Sequence, residues 1–392
     1  MIESQLINNK FIFKIHDKIY DLSNFIHIHP GGIDMFNNLK TNTNITPLLY
    51  SYHKNPKSIL TNILPKYEIL SQINNIKFET NYSYEKYCVL KKLVYDEIHE
   101  KKIPLYWSFN EIFYNFSMLS LYISVWIYCF LNNQNLSSLW FILLSIMNTG
   151  ICNLIFHETS HYCGFKNQQI NKYLTLCAYP NMIADNWKYI HNFNHHCFTN
   201  TEYDTDFYFP KHALTLRHSK DHTFHSYNQY QSFYSLLLFS AVAFYRGFIK
   251  SIKMRTLNCF CGFIMFFYFG FYKTIIWYSL CGFLFAFIAQ LSHIQHECIE
   301  INTENKNDFL YNQVSSSMNY KTNNFITRFL CFGLDIQIEH HLFPKIPHSS
   351  LRKIKHIVRN FCNINKIPYI EQNSIFTSLI SYILFLNKMS RP

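Results

Sequence analysis

From Ile112 to Phe156 the chain carries no charged residue, and this apolar run is broken by the polar cluster Asn132, Asn133, Gln134 and Asn135. The two pieces, about 113–131 and 137–156, each approach the roughly 20 residues that a helix needs to cross the hydrocarbon core. The pattern therefore predicts a hairpin of membrane helices. Polar sequence follows from His157 to Gln229, and then three more apolar stretches, about 232–249, 256–272 and 274–292. If the His-rich segments on either side of these serve one site, an even number of crossings separates them, so one stretch lies flat. The first, shortest before it meets Arg246, is assigned to the interface, and the other two pair as a second hairpin turning near Lys273. The C-terminal run Ser374–Leu386 is too short to span, and either lies on the membrane or packs against the body.

Ahead of the apolar runs, residues 14–79 alternate short apolar segments with turn residues and read as a small water-soluble module. The chain divides accordingly into a module at 8–80, a linker with an amphipathic, helical piece around Tyr84–Lys102 at 81–111, an all-α membrane body at 112–372, and an apolar tail at 373–392. About four transmembrane helices in two hairpins, with a His-rich cytoplasmic cap, are expected.

Composition changes this picture only in detail. The chain is 49% hydrophobic and 18% aromatic, and its net charge of +11 would suit nucleic acid, a membrane surface or an acidic cofactor. The apolar runs select the membrane and leave no role for nucleic acid. Lys91, Lys92, Lys101 and Lys102 precede the first run, while Arg352, Lys353, Lys355 and Arg359 follow the last. By the positive-inside tendency both termini face the cytoplasm. The twelve Cys form no CxxC pairs, and several, such as Cys129 and Cys281, sit within apolar runs, which argues against a disulfide framework. The N-terminus has no apolar core of a signal peptide, so insertion is expected to be driven by an internal span.

Two groups of residues carry chemistry. In the module, His29-Pro30-Gly31-Gly32 is followed 24 positions later by His53. An iron held between two neutral imidazoles has both axial positions filled, which blocks oxygen and leaves one-electron transfer. The segment resembles cytochrome b5. That resemblance implies a small α+β fold, haem b, axial ligands His29 and His53, and a turn in which Pro30, Gly31 and Gly32 let the backbone bend around the haem edge. The loop before the second histidine, Thr41–Thr46, departs from that family's usual sequence.

In the body, three clusters lie outside the apolar runs: His157-Glu-Thr-Ser-His161, His191-Asn-Phe-Asn-His195-His196 and Gln337-Ile-Glu-His340-His341. On a helix, residues four apart share a face, so His157 with His161, and His191 with His195, are placed to bind one metal or to bridge towards a pair. Imidazole alone does not choose among iron, copper and zinc. A structural zinc site uses four ligands and commonly Cys. Seven histidines exceed that count, and two metals sharing an all-nitrogen site explain it. Two iron ions that activate O2 attack an unactivated C–H bond, which no side chain does.

The clusters resemble the three histidine boxes of membrane fatty acid desaturases. The stretch from Thr322-Asn-Asn-Phe325 through Gly333-Leu-Asp-Ile-Gln337-Ile-Glu-His340-His341-Leu-Phe-Pro344-Lys-Ile-Pro347 looks like the third box of the front-end type, where Gln replaces the first His and a cytochrome b5 domain is fused at the N-terminus. The resemblance extends over nearly the whole chain. It implies that His157, His161, His191, His195, His196, His340 and His341 are catalytic metal ligands of a di-iron centre. A further ligand is expected near the end of the last span, where His293 is preferred to His296, and Gln337 joins the metal set. Asp204, Asp206 and Glu339 are candidates to orient imidazoles, and His212, His218, His222 and His225 read as a solvated surface. The implied partners are a fatty acyl chain on lipid or CoA, O2, a flavoprotein cytochrome b5 reductase and membrane lipid. The implied location is the endoplasmic reticulum membrane, multi-pass, with the active site cytoplasmic. Glu158 in the first box and the longer HxxxHH second box depart from the front-end pattern, leaving the position of the double bond open. Two other readings remain: a hydroxylase of acyl or sphingoid chains, or a sphingolipid desaturase, with a related site, and a membrane haem protein whose His clusters bind zinc or are inactive.

Overall fold

The computed structural model describes residues 11–33, 35–36, 39–70, 76–178, 180–201, 203–206, 216–220, 223–299, 307–322 and 324–392. His212 and His222, and the start of the module at residues 8–10, lie outside them.

The N-terminal region is α+β. Strands β1 (Ile12–Ile15) and β2 (Lys18–Asp21) form a tight antiparallel pair, β3 (Thr43–Asn44) adds to β1 in parallel, and β4 (Glu68–Ile69) adds to β2, giving the order β3-β1-β2-β4. Side chains along β1 alternate with the period of a strand, so Phe13 and Ile15 are buried while Ile12 and Lys14 are half-exposed. The helix Thr46–Tyr52 follows, entered through Pro47 at its first turn, where proline costs no hydrogen bond. The apolar core of this region does not close on itself. Phe13, Ile26, Leu48 and Leu49 share one cluster with Tyr162, Phe193, Cys197 and Phe198, which belong to the His-rich cap.

The linker contains the helix Glu85–Glu100, whose Tyr87, Leu90, Val94 and Ile98 recur at helical spacing and are buried against Leu351, Ile354 and Val358 of the helix His348–Ile364. Lys91 lies on the same buried face, 3% exposed, and is not a surface charge as the positive-inside count assumed. Its ammonium donates to the carbonyls of Tyr50 and His53 at the C-terminal end of the Thr46–Tyr52 helix, where a cation suits both the orphan carbonyls and the helix dipole. Burial pushes this amine down to about 7. Lys91→Met should leave those carbonyls without their donor and cost about 1–3 kcal/mol, read as a lowered unfolding midpoint of the whole chain.

Among the described residues, four helices are long and apolar enough to cross a membrane: Phe109–Leu131, Leu139–Ser160, Ser226–Met254 and Phe271–Leu291, the first to fourth spans. Ser108 and Glu111 make a reciprocal capping box that starts the first. The assignment of the flat stretch is corrected. Residues 226–254 form a helix of 29 residues, whereas 256–272 yields only the 12-residue helix Asn258–Phe269, about 18 Å long against a core of about 30 Å. Arg246 misled the expectation because its charge does not end the apolar stretch. It turns inward to Asp206, 2.7 Å away, and the helix continues past it. The reversal before the fourth span falls at Gly270 (φ +83°), three residues before Lys273, which instead ties the start of that span to the turn between the first two by donating to Asn133. Phe113, Leu121, Ile127, Phe233, Leu237 and Phe267 point outward as an apolar belt suited to lipid. The C-terminal helix Ile375–Met389 buries Tyr382, Phe385 and Leu386 against the third and fourth spans and leaves Phe376, Ile380 and Leu384 exposed, so it packs on the body and also presents an apolar outer row.

Candidate metal centre

The first histidine pair sits where the second span ends. The helical turn from His157 to His161, which caps it, brings the two rings to 4.9 Å. The second box does not form an α-helix. Residues Tyr189–His195 make a π-helix, whose wider turn brings residues five apart onto one face. His191 and His196 therefore face each other, Nε2 to Nε2 at 3.2 Å, while His195 turns towards His293 and His341, with ring centres at 4.6 and 4.7 Å. His191 and His195 nonetheless stay close, their rings stacked 5.1 Å apart, while each faces a different set of imidazoles, and the extra residue of HxxxHH is absorbed in the π turn. The third box rides on the short helix Gln337–Leu342, launched by Gly333 in a left-handed conformation (φ +96°). Adjacent His340 and His341 diverge, their ring planes at 87°.

Among the described residues the result is two groups, both buried. His157, His161, His191, His196 and His340 have ligand nitrogens within 4.8 Å of one another, and so do His195, His293 and His341. The second and third boxes each contribute to both groups. Gln337 stands with the second, its amide nitrogen 2.8 Å from His293 Nε2. His296 is elsewhere, at the surface beside Lys388.

Most of the rings are fixed from behind. Asp206 accepts from His191 Nδ1 (3.1 Å), Asp204 from His195 Nδ1 (2.9 Å), the Ser316 carbonyl from His293 Nδ1 (2.8 Å), and Gln313 from His341 Nδ1 (3.1 Å). Such partners set the tautomer and aim Nε2 inward. Burial alone would raise the Asp206 carboxyl, but Arg246 and His191 hold it well below the usual range. The expectation for Glu339 is corrected: it accepts from Tyr369 and Asn319, touching no imidazole, and burial pushes it up to about 7. His218 is also corrected, being buried, not solvated.

The donor set fits cations. Burial first, and neighbouring imidazoles second, hold His161, His196, His340 and His341 below the ordinary histidine range, and burial pushes His191 down to about 4. Neutral imidazole is the form that ligates. Among the described residues, Nε2 of His161, both ring nitrogens of His340 and Nε2 of His341 are buried without a hydrogen-bond partner. Nε2 of His157 also lies 2.9 Å from Nε2 of His191. Converging lone pairs in a dry interior are costly unless a cation sits among them.

Sequence reasoning missed His348. Its Nδ1 is 2.8 Å from Glu158, which also accepts its backbone N–H and the indole N–H of Trp107, and its ring stacks 4.9 Å from His340. A single His after Pro347 carries no signal in the sequence. Trp187, stacked 4.3 Å from His191, was likewise unforeseen.

In the N-terminal region His29 and His53 oppose each other, ring centres 5.9 Å apart, among Phe25, Phe36 and Tyr67. That separation suits one metal between two nitrogens at about 2 Å each. The Leu49 carbonyl accepts from His53 Nδ1 at 3.0 Å, leaving Nε2 for the gap, and Gly32 O is 3.4 Å from His29 Nδ1. A Cβ on Gly31 would lie 2.8 Å from the His29 ring, and Gly32 has φ +79°. The backbone therefore wraps closely around this imidazole.

Comparison with known proteins agrees with the boxes. The family model described as fatty acid desaturase matches residues 133–373. The "Probable Delta(5) fatty acid desaturase C" of Dictyostelium discoideum is 25% identical over 98% of this chain and 92% of its own length. The Delta(8)-fatty-acid desaturase of Borago officinalis is 23% identical over 91% of this chain and 85% of its own, and the acyl-lipid (8-3)-desaturase of Physcomitrium patens is 24% identical over 96% and 87%. No solved structure matches it. With its histidine boxes converged and this match across more than half its length, the chain belongs to the fatty acid desaturase family.

Proposed function

We propose that this oxidoreductase is a front-end type acyl desaturase, which introduces a C=C bond into a fatty acyl chain with O2 and with electrons relayed through its own haem. The observation that carries the reading is the pair of buried, neutral imidazole groups supplied by three boxes and His293. His157, His161, His191, His196 and His340 would hold one iron, and His195, His293 and His341, with the Gln337 amide beside them, the second. An iron pair bound there supplies the oxygen chemistry that takes two hydrogens from adjacent carbons, with water as the other product. Haem b held between His29 and His53, with Pro30, Gly31 and Gly32 shaping the turn, supplies one-electron transfer.

The chain's own residues do the rest. Asp204, Asp206, Ser316 and Gln313 hold the imidazole protons outward, and the buried setting keeps water from the oxidising centre. A flavoprotein reductase would deliver electrons on the cytoplasmic face of the endoplasmic reticulum. The domain division, with a haem module at 8–80, belongs to the same proposal.

The test is expression of the full chain in a host of simple lipid profile, fed candidate acyl chains, with products analysed by mass spectrometry and the purified protein analysed for metal. A new double bond and two irons per chain are expected; a hydroxyl product or zinc would overturn the reading. Asp206→Asn should weaken iron binding about 10- to 100-fold, seen as iron lost on dialysis against chelator while the fold persists.

A further inference from the structure

The N-terminal module and the metal centre meet at one side chain. Tyr52 immediately precedes His53 in the chain, and its hydroxyl lies 2.8 Å from Nδ1 of His161 in the first box, both residues being buried. The two rings lie nearly parallel, at 22°. The contact is held from three directions. Lys91 grips the carbonyls on either side of Tyr52, those of Tyr50 directly and His53 at 2.9 Å. Phe78 seats against Phe193, Phe198 and Tyr203, with ring centres 5.1–5.3 Å away. Tyr162, adjacent to His161, belongs to the module's own apolar cluster.

We infer that Tyr52 bridges the two cofactors: each electron leaves the haem at His53, runs along the covalent chain into the Tyr52 side chain, and crosses its hydrogen bond to His161. This rests on the haem and iron readings above. The path has bonded atoms throughout and a single hydrogen bond as its gap. In each transfer the haem iron is oxidised by one electron and the iron pair reduced by one, Tyr52 keeps its proton, and the reduced flavoprotein supplies the electron. Two transfers, with O2 and two protons, balance one double bond and two waters. Tyr52 is a positioning residue in this scheme, as it touches neither substrate nor oxygen.

The test uses the full chain loaded with haem and iron, its haem reduced without oxygen and then mixed with O2, the haem band being followed by stopped flow. Tyr52→Phe keeps the ring and removes the hydroxyl. Because Tyr52 also bonds the His161 ring, iron binding should weaken, so rates are taken at full iron loading, where haem reoxidation should slow about tenfold or more relative to desaturation driven by a small viologen-type reductant that bypasses the haem, with haem spectrum and haem midpoint potential unchanged. Tyr20→Phe, which removes a phenol from the module's sheet, should reoxidise at the wild-type rate. A ratio of the two rates unchanged in Tyr52→Phe overturns the bridge, since equal slowing of both would make the contact structural. If Tyr52→Phe does not fold, 4-fluorophenylalanine at position 52 decides, since it fills the space of the hydroxyl without its hydrogen bond, and an unchanged ratio there overturns the bridge equally. A wild-type chain whose reoxidation is indifferent to iron overturns the relay itself, and a chain that binds no haem overturns the haem reading. Those two failures are thereby told apart from failure of Tyr52 alone.

Discussion

His340→Ala should abolish desaturation and, on the proposed di-iron reading, remove about one of the two irons from each chain. His340 stands at the centre of the five-histidine group: its ring centre lies 4.5 Å from that of His157, 4.8 Å from His161 and 4.7 Å from His196. Because neither of its nitrogens has a hydrogen-bond partner among the described residues, alanine deprives no protein group of a partner, and the loss falls on the metal. His341→Ala should remove the other iron, since His341 belongs to the second group. His296→Ala, at the surface beside Lys388 and outside both groups, should leave product yield unchanged. Metal analysis and lipid mass spectrometry on the three variants give the result. Full activity in His340→Ala would show that the five-histidine group is not the reacting centre.

On the proposed haem reading, His53→Ala should remove the haem absorption band and with it all desaturation driven through a reductase, while iron content stays at the wild-type level. The graded version of this experiment uses the two glycines. Alanine at Gly31 places a methyl group 2.8 Å from the His29 ring and must displace it, so haem occupancy falls. Alanine at Gly32 meets nothing within 4 Å but inherits φ +79°, which costs about 1–2 kcal/mol of stability and leaves the imidazole in place. Titration with haem, together with thermal unfolding, separates the two. Equal haem affinity in both variants would mean that the close approach at Gly31 does not shape the ligand.

What the sequence could and could not reveal follows from the range of the forces involved. Local patterns were readable: the uncharged run Ile112–Phe156 covers most of the first and second spans because helix length and hydropathy are properties of consecutive residues. The face of Glu85–Glu100 was readable in the same way, except at Lys91, whose burial depends on carbonyls 38 and 41 positions away. Arg246 is the same lesson reversed. A charge in an apolar stretch looks like its end until Asp206, 40 positions upstream, is seen to neutralise it. The spacing of the second box showed that a residue had been added, but not that the backbone would take it up as a π turn and so send His195 to a different group from His191. His348 and Tyr52 acquire their places only through tertiary contact, with Glu158 and His161 respectively, and no local signal marks either.

The shared interior between the N-terminal sheet and the cap also sets the order of assembly. The strands that leave the ribosome first cannot finish burying Phe13, Ile26 and Leu49 until Phe193 and Phe198, synthesised long afterwards, come to rest on them. Cut out as residues 11–80, the segment would expose a sticky aromatic seat and clump. A foreign electron carrier stitched onto this body would work only if it brought matching apolar surface, so the two halves are expected to have diverged in step, not to have been exchanged as cassettes.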